Sequence, residues 1–299
     1  MIVSDDPPIE CNSHRDGPDE GRVPPSADWP ARYEELGAAQ PLPVGAASAE
    51  TFLGGVPARM IAPGGHWADT SVLYFHGGWY SAGSPVSHQG GATLLAGLTG
   101  SRVVLPGYRL ATADPFPAAV HDAMSAYLGL LDFGTGPEQI IVAGDGAGGG
   151  LAIALLVTLR DSGFGLPAAA VTFAPWADLS SGQARLPGAA VRQFAAAMSR
   201  QYAGGHDPAH PLISPLYADL AGLPPLQVQV AAAGVLRADA DRLAAAAIAA
   251  GVRCDLRHWL PGTVPAALPG CPASALQSAA AFARSYCPAA ARATERDPR

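Results

Sequence analysis

The sequence predicts an α/β protein: a doubly wound, mostly parallel sheet flanked by helices, with a small cap-like insertion above one end of it. Two observations predict it. Short, largely apolar runs of strand length alternate with longer helical stretches along most of the chain. One such run passes through a tight glycine-rich turn directly into an apolar helix.

In chain order, Trp29 to Leu36 begins a helical pattern, and Phe52 to Ile61 and Ser71 to Phe75 read as strands. Val103 to Leu105, Ile140 to Ala143, Ala169 to Phe173 and Leu226 to Val230 follow, each apolar as strands buried on both faces are. Helices are expected over His88 to Leu98, Ala118 to Leu131, Leu151 to Arg160, Ala238 to Ala250 and Ala273 to Tyr286. Cys254, Leu256, His258 and Leu260 alternate along a late strand. Residues 181–216 interrupt the alternation, and insertions above the C-terminal strand ends often roof a ligand pocket. Residues 1–30, polar, acidic and proline-rich, read as an irregular or mobile arm; 31–288 as one domain; 289–299 as a tail.

Composition supports a single large core and excludes several functions. Hydrophobic residues make up 49% of the 299 and charged residues 14%, enough apolar content for one domain and too little charge for extended disorder. The chain has 18 Arg, no Lys and a formal net charge of -7, with no basic patch, so no nucleic-acid partner is expected. The absence of Lys excludes a Schiff-base or P-loop lysine. Cys11, Cys254, Cys271 and Cys287 form no zinc spacing, and no metal or cofactor is expected. No signal-peptide pattern and no spanning apolar run occur, which predicts a cytoplasmic protein without membrane contact.

Ile140-Ile141-Val142-Ala143 runs into Gly144-Asp145-Gly146-Ala147-Gly148-Gly149. Strand, tight turn and helix are the context of a nucleophile elbow, whose central residue here is Gly146. A phosphate-binding loop fits poorly, because neither GxGxxG spacing nor a P-loop is present. A second motif decides between them. Val72-Leu73-Tyr74-Phe75 leads into His76-Gly77-Gly78-Trp79-Tyr80, which resembles the HGGG oxyanion loop of lipases and esterases. With Gly83-Ser84, His88, Tyr108-Arg109-Leu110-Ala111, Pro115-Phe116-Pro117 and Ser214-Pro215-Leu216-Tyr217, the chain resembles the hormone-sensitive-lipase-like α/β-hydrolases from about Tyr33 to Tyr286.

That resemblance implies a Ser-Asp-His triad, and this chain departs from it at each position: Gly146, Gly234 and Pro265. It implies an oxyanion hole from the backbone N–H groups of Gly77, Gly78 and Ala147. Gly107 replaces an Asp that would help hold the oxyanion loop, and Trp79 replaces the third glycine, which should narrow the mouth and add an aromatic wall. His76 and Asp145 are the candidate acid/base groups, each with a purely structural alternative. Trp79, Tyr80, Gly146, His88 and Tyr202 are the candidate pocket residues, while His121 is expected to face solvent and His258 is not expected to replace a missing triad His. His206 and Asp207 fall near the insertion.

Without nucleophile and base, acyl-enzyme chemistry is unavailable. The expectation is therefore a non-hydrolytic enzyme that uses the oxyanion hole on a carbonyl-bearing apolar small molecule, for cyclisation, C–C bond formation, elimination or isomerisation, in biosynthesis. A small-molecule binding or receptor protein is the alternative, and a weak residual carboxylesterase the third reading. A homodimer is the oligomeric expectation.

Overall fold

A computed structural model describes residues 28–39, 46–63, 69–180, 186–259 and 273–287. Most of the expected arm, the expected tail, Leu260, Pro265, Cys11 and Cys271 lie outside the described residues. The elements are α1 (Trp29–Ala38), β1 (Ala47–Leu53), β2 (Val56–Ala62), β3 (Ser71–Phe75), α2 (Gln89–Thr99), β4 (Arg102–Pro106) and α3 (Ala118–Asp132). Then come β5 (Ile140–Asp145), α4 (Gly146–Asp161), β6 (Ala169–Phe173), α5 (Ala189–Ala203), β7 (Leu226–Ala231), α6 (Arg237–Ala249), β8 (Cys254–Trp259) and α7 (Ala273–Tyr286).

Eight strands form one sheet in the order β1-β2-β4-β3-β5-β6-β7-β8. β1, β2 and β4 pair antiparallel, and the remaining pairs are parallel. The period of two along each strand divides the core. Leu73, Phe75, Ile140 and Val142 face α3, α4 and α6, whereas Val72, Tyr74, Ile141 and Ala143 face α2 and α7. Burial on both faces is why these strands carry no polar alternation.

Two boundaries differ from expectation. The single strand expected over Phe52 to Ile61 is a hairpin, β1 and β2, in which Leu53 pairs with Val56 around Gly54 and Gly55. Both glycines have positive φ, 55° and 85°, as a tight two-residue hairpin turn requires. The helix expected from Leu151 begins at Gly146. Glycine is a poor helix former, but packing demands it there. A Cβ at Gly148 would lie 2.0 Å from the Phe75 carbonyl oxygen, and one at Gly150 2.3 Å from that of Trp176. Close approach of α4 to the sheet thus overrides propensity.

Among the described residues, no helix is long and apolar enough to cross a membrane. The β6-to-β7 connection carries α5, whose Phe194, Gln201 and Tyr202 reach the loop that follows β3.

Candidate active site at the β5–α4 turn

β3 and β5 are parallel neighbours, with Phe75 opposite Gly144, so the loop after β3 and the turn after β5 meet at the C-terminal edge of the sheet. Open α/β sheets bind ligands at that edge. At the turn, Gly146 has φ +50°, and a Cβ added there would meet nothing nearer than the Gly77 Cα at 3.9 Å. The strand, left-handed turn and helix expected of such an elbow are present, with glycine at the turn.

Asp145 is 1% exposed, and its carboxylate points beneath the loop. Its Oδ1 accepts the Gly77 N–H (2.9 Å) and the Tyr74 hydroxyl (2.9 Å), and the His88 Nε2 stands 3.4 Å away. Ser87 Oγ lies 3.0 Å from His88 Nδ1, and the Tyr33 hydroxyl of α1 3.5 Å from Nε2. Asp145 and His88 therefore belong to a buried network that supports the loop. A Cβ at Gly77 would fall 2.2 Å from Asp145 Oδ2, so only glycine passes there.

This geometry corrects the expected oxyanion set. The Gly77 N–H is spent on Asp145 and cannot serve a substrate oxygen. The N–H groups of Gly78 and Trp79 have no acceptor among the described residues. The Ala147 N–H sits in the first turn of α4, where helical N–H groups lack intrahelical partners. Gly78, Trp79 and Tyr80 have φ of 115°, 55° and 59°, so the loop makes a left-handed turn at this point. Left-handed backbone costs a non-glycine residue roughly 1–2 kcal/mol, so Trp79 and Tyr80 are held there by their surroundings.

His76 is fully buried, with its ring stacked on Tyr108 at 4.2 Å and its Nδ1–H donated to the Gly77 carbonyl (2.8 Å). Burial first, and His88 second, lower its pKa to about 3, which keeps the ring neutral. The Tyr108 hydroxyl donates to the His76 carbonyl at 2.7 Å. Tyr108 and Asp145 thus hold the loop where Gly107 offers no carboxylate.

Tyr80 and Tyr202 stack face to face at 3.6 Å and 3°, fully buried, with their hydroxyls side by side and neither bonded in good geometry. Burial raises both phenol pKa values. Trp79 packs edge-on against Trp176 (4.7 Å) and Phe194 (5.6 Å), and Phe194 against Trp29 (5.3 Å). The Trp176 N–H donates to the Gly146 carbonyl (2.8 Å), which places this aromatic group beside the elbow.

The remaining candidates lie apart from this group. Gly234 turns the chain after β7, its N–H donated to the Ala231 carbonyl (2.9 Å). His258 pairs with Asp241 of α6 at 2.6 Å, both partly exposed. His121, His206 and Asp207 are exposed. Cys254 and Cys287 are free thiols whose pKa burial pushes up to about 11.

Sequence reasoning passed over Asp239, which lies on α6 five residues beyond Gly234. It is buried and accepts the N–H groups of Ala177 (3.0 Å) and Asp178 (2.9 Å), fixing the segment after β6. Burial, aided by the Asp178 charge, raises its pKa to about 6. Because the folded value lies above the unfolded one, its contribution to stability is full below about pH 4. It is lost as the pH rises through about 6. A shift of this size corresponds to roughly 3 kcal/mol. Asp239→Asn keeps an acceptor for both N–H groups. Urea unfolding from pH 4 to 7 should show the wild type losing roughly 2–3 kcal/mol relative to this variant. Parallel profiles would refute the assignment.

Comparison with known proteins agrees with this geometry. Residues 72–263 match the α/β-hydrolase-fold family. The chain is 44% identical to an acetyl-hydrolase of Streptomyces hygroscopicus over 195 residues, covering 63% of this chain and 65% of that protein. The chain thus spans just under two thirds of that relative. It is 35% identical to the carboxylesterase/phospholipase LipF of Mycobacterium tuberculosis, over 66% of this chain and 57% of LipF. Among solved structures, an esterase of the bacterial hormone-sensitive lipase family superposes with a TM-score of 0.83 at 37% identity, covering 90% of this chain and 94% of that one. These relatives overturn the expected non-hydrolytic reaction, and with it the cyclase and biosynthetic reading and the binding-protein alternative, because they are named for hydrolysis. The chain belongs to the α/β-hydrolase-fold family of enzymes.

Proposed function

We propose that this chain hydrolyses small carboxylic esters slowly, by direct attack of water on a carbonyl held in the hole formed by the Gly78, Trp79 and Ala147 N–H groups. The single observation that carries the reading is that the Gly78 and Trp79 N–H groups have no acceptor among the described residues, in a loop whose Gly77 is committed to Asp145 and lies 3.9 Å from a Cβ built on the open, left-handed Gly146. The names of the relatives support the reaction class.

The ester carbonyl oxygen accepts from the three N–H groups. As water adds, negative charge develops on that oxygen, and fixed dipoles stabilise it without reorganising. Water enters in the space beside Gly146 and its oxygen bonds to the carbonyl carbon; the proton it gives up passes, through solvent, to the ester oxygen as the C–O bond breaks, so that carboxylic acid and alcohol leave. No covalent acyl-enzyme forms, because the elbow has no hydroxyl. His76, neutral and stacked on Tyr108, and Asp145, bound beneath the loop, act as positioning residues. A site that works only by positioning and charge stabilisation yields roughly 10³–10⁴-fold over water, far below the typical enzyme turnover of about 10 s⁻¹.

Stopped-flow and steady-state hydrolysis of p-nitrophenyl acetate test this. The expected result is slow turnover above buffer, no burst, and no stoichiometric labelling by a fluorophosphonate. Ala147→Pro deletes one donor where the first helical turn tolerates proline. It should lower the rate by about 10²-fold. A burst, labelling, or an unchanged rate in Ala147→Pro would each sink the mechanism, and a rate equal to buffer would sink the function.

A further inference from the structure

Trp79 is the residue whose presence the loop backbone explains least. At φ +55° the position suits glycine, yet it carries the largest side chain available. The indole is half-buried and wedged between two aromatic rings from distant elements. One is Trp176, whose backbone N–H donates to the Gly146 carbonyl; the other is Phe194 of α5, itself packed on Trp29 of α1. The Trp79 N–H is also one of the three donors proposed for the carbonyl oxygen. Donor and side chain share one Cα, so any oxygen bound to that N–H lies within a few bond lengths of the indole's base. A residue that both binds the carbonyl and projects a rigid ring beside it controls what else can occupy that side.

We infer that Trp79, backed by Trp176 and Phe194, sets the size limit of the ester, admitting only a short substituent on the side of the carbonyl that faces α5. This rests on the ester-hydrolysis reading above. Two edge-on ring contacts hold the indole, so the wall yields little to a long chain. Tyr80, the next residue, is locked on Tyr202 and prevents the loop from swinging the indole away.

The test measures kcat/KM along two series, since either limb of the ester can face the wall. One lengthens the acyl side, p-nitrophenyl acetate through octanoate; the other lengthens the alkoxy side, ethyl through octyl acetate. Wild type should fall at least tenfold along one series. In Trp79→Gly, which keeps the N–H and relaxes the backbone, the ratio of longest to shortest ester in that series should rise at least tenfold. Phe194→Ala, on a different element, should raise it in the same direction, and Trp79→Phe should leave the wild-type order in place. Circular dichroism establishes that each variant is folded. A wild-type profile flat in both series, or a Trp79→Gly profile parallel to wild type, overturns the wall while the ester reading stands. Absence of catalysed hydrolysis with every ester in every variant overturns both.

Discussion

Introducing a triad at the three positions where the resemblance expects one, Gly146→Ser with Gly234→Asp and Pro265→His, is expected to raise kcat/KM for p-nitrophenyl acetate by at least about 10³-fold. Gly146→Ser alone is expected to change it by less than about tenfold. Members of a triad act as a unit: a serine without a base keeps its proton and attacks no better than water. The structure has room for the serine, since a Cβ at position 146 meets nothing within 3.9 Å and the backbone already holds the left-handed turn. At Gly234 a Cβ would lie 3.1 Å from the Ala231 carbonyl oxygen, so the turn must give by a few tenths of an ångström. High turnover in the single variant would mean that a base is already in place and that position 265 does not correspond to the missing His. A triple variant as slow as wild type would mean that the elbow and the β7–α6 turn are no longer in working register.

Asp145→Ala is expected to destabilise the protein by about 3–5 kcal/mol, because it strips a buried carboxylate from several partners at once. The Gly77 N–H and the Tyr74 hydroxyl lose their shared acceptor, and His88 loses its charged neighbour. For a domain of this size the loss corresponds to a fall of about 10 °C in Tm. Asp145→Asn, which keeps one accepting oxygen, should lose less than half as much. Ester hydrolysis should also decline in Asp145→Ala, since the loop that carries the Gly78 and Trp79 donors is anchored through Gly77. Denaturant unfolding of both variants decides this. A cost below about 1 kcal/mol for Asp145→Ala would show that the loop stands without its anchor.

The residues at the positions where the resemblance expects a triad were legible in the sequence, but what they mean for the reaction was not. Gly146, Gly234 and Pro265 can be read directly, and treating the lost side chains as a lost reaction led to the expectation of a cyclase-like enzyme. Relatives named for hydrolysis, similar to this chain over most of its sheet and helices, correct that expectation. The oxyanion donors show the same limit. His76-Gly77-Gly78 identifies the loop, yet which of its N–H groups is free depends on Asp145, 68 residues away. No local pattern carries that information.

The sequence by itself determined the alternation of strands and helices, the doubly wound sheet and the glycine-rich turn that leads from β5 into α4. Periodicity, glycine placement and turn chemistry are local, so they survive in the order of residues. The tertiary structure alone decided that Asp145 takes the Gly77 N–H, that Tyr108 stacks on His76, and that Trp79 stands between Trp176 and Phe194. Those partnerships arise because β3 lies beside β5 and α5 folds back over the loop, and the adjacency of distant segments is set by packing of the whole core.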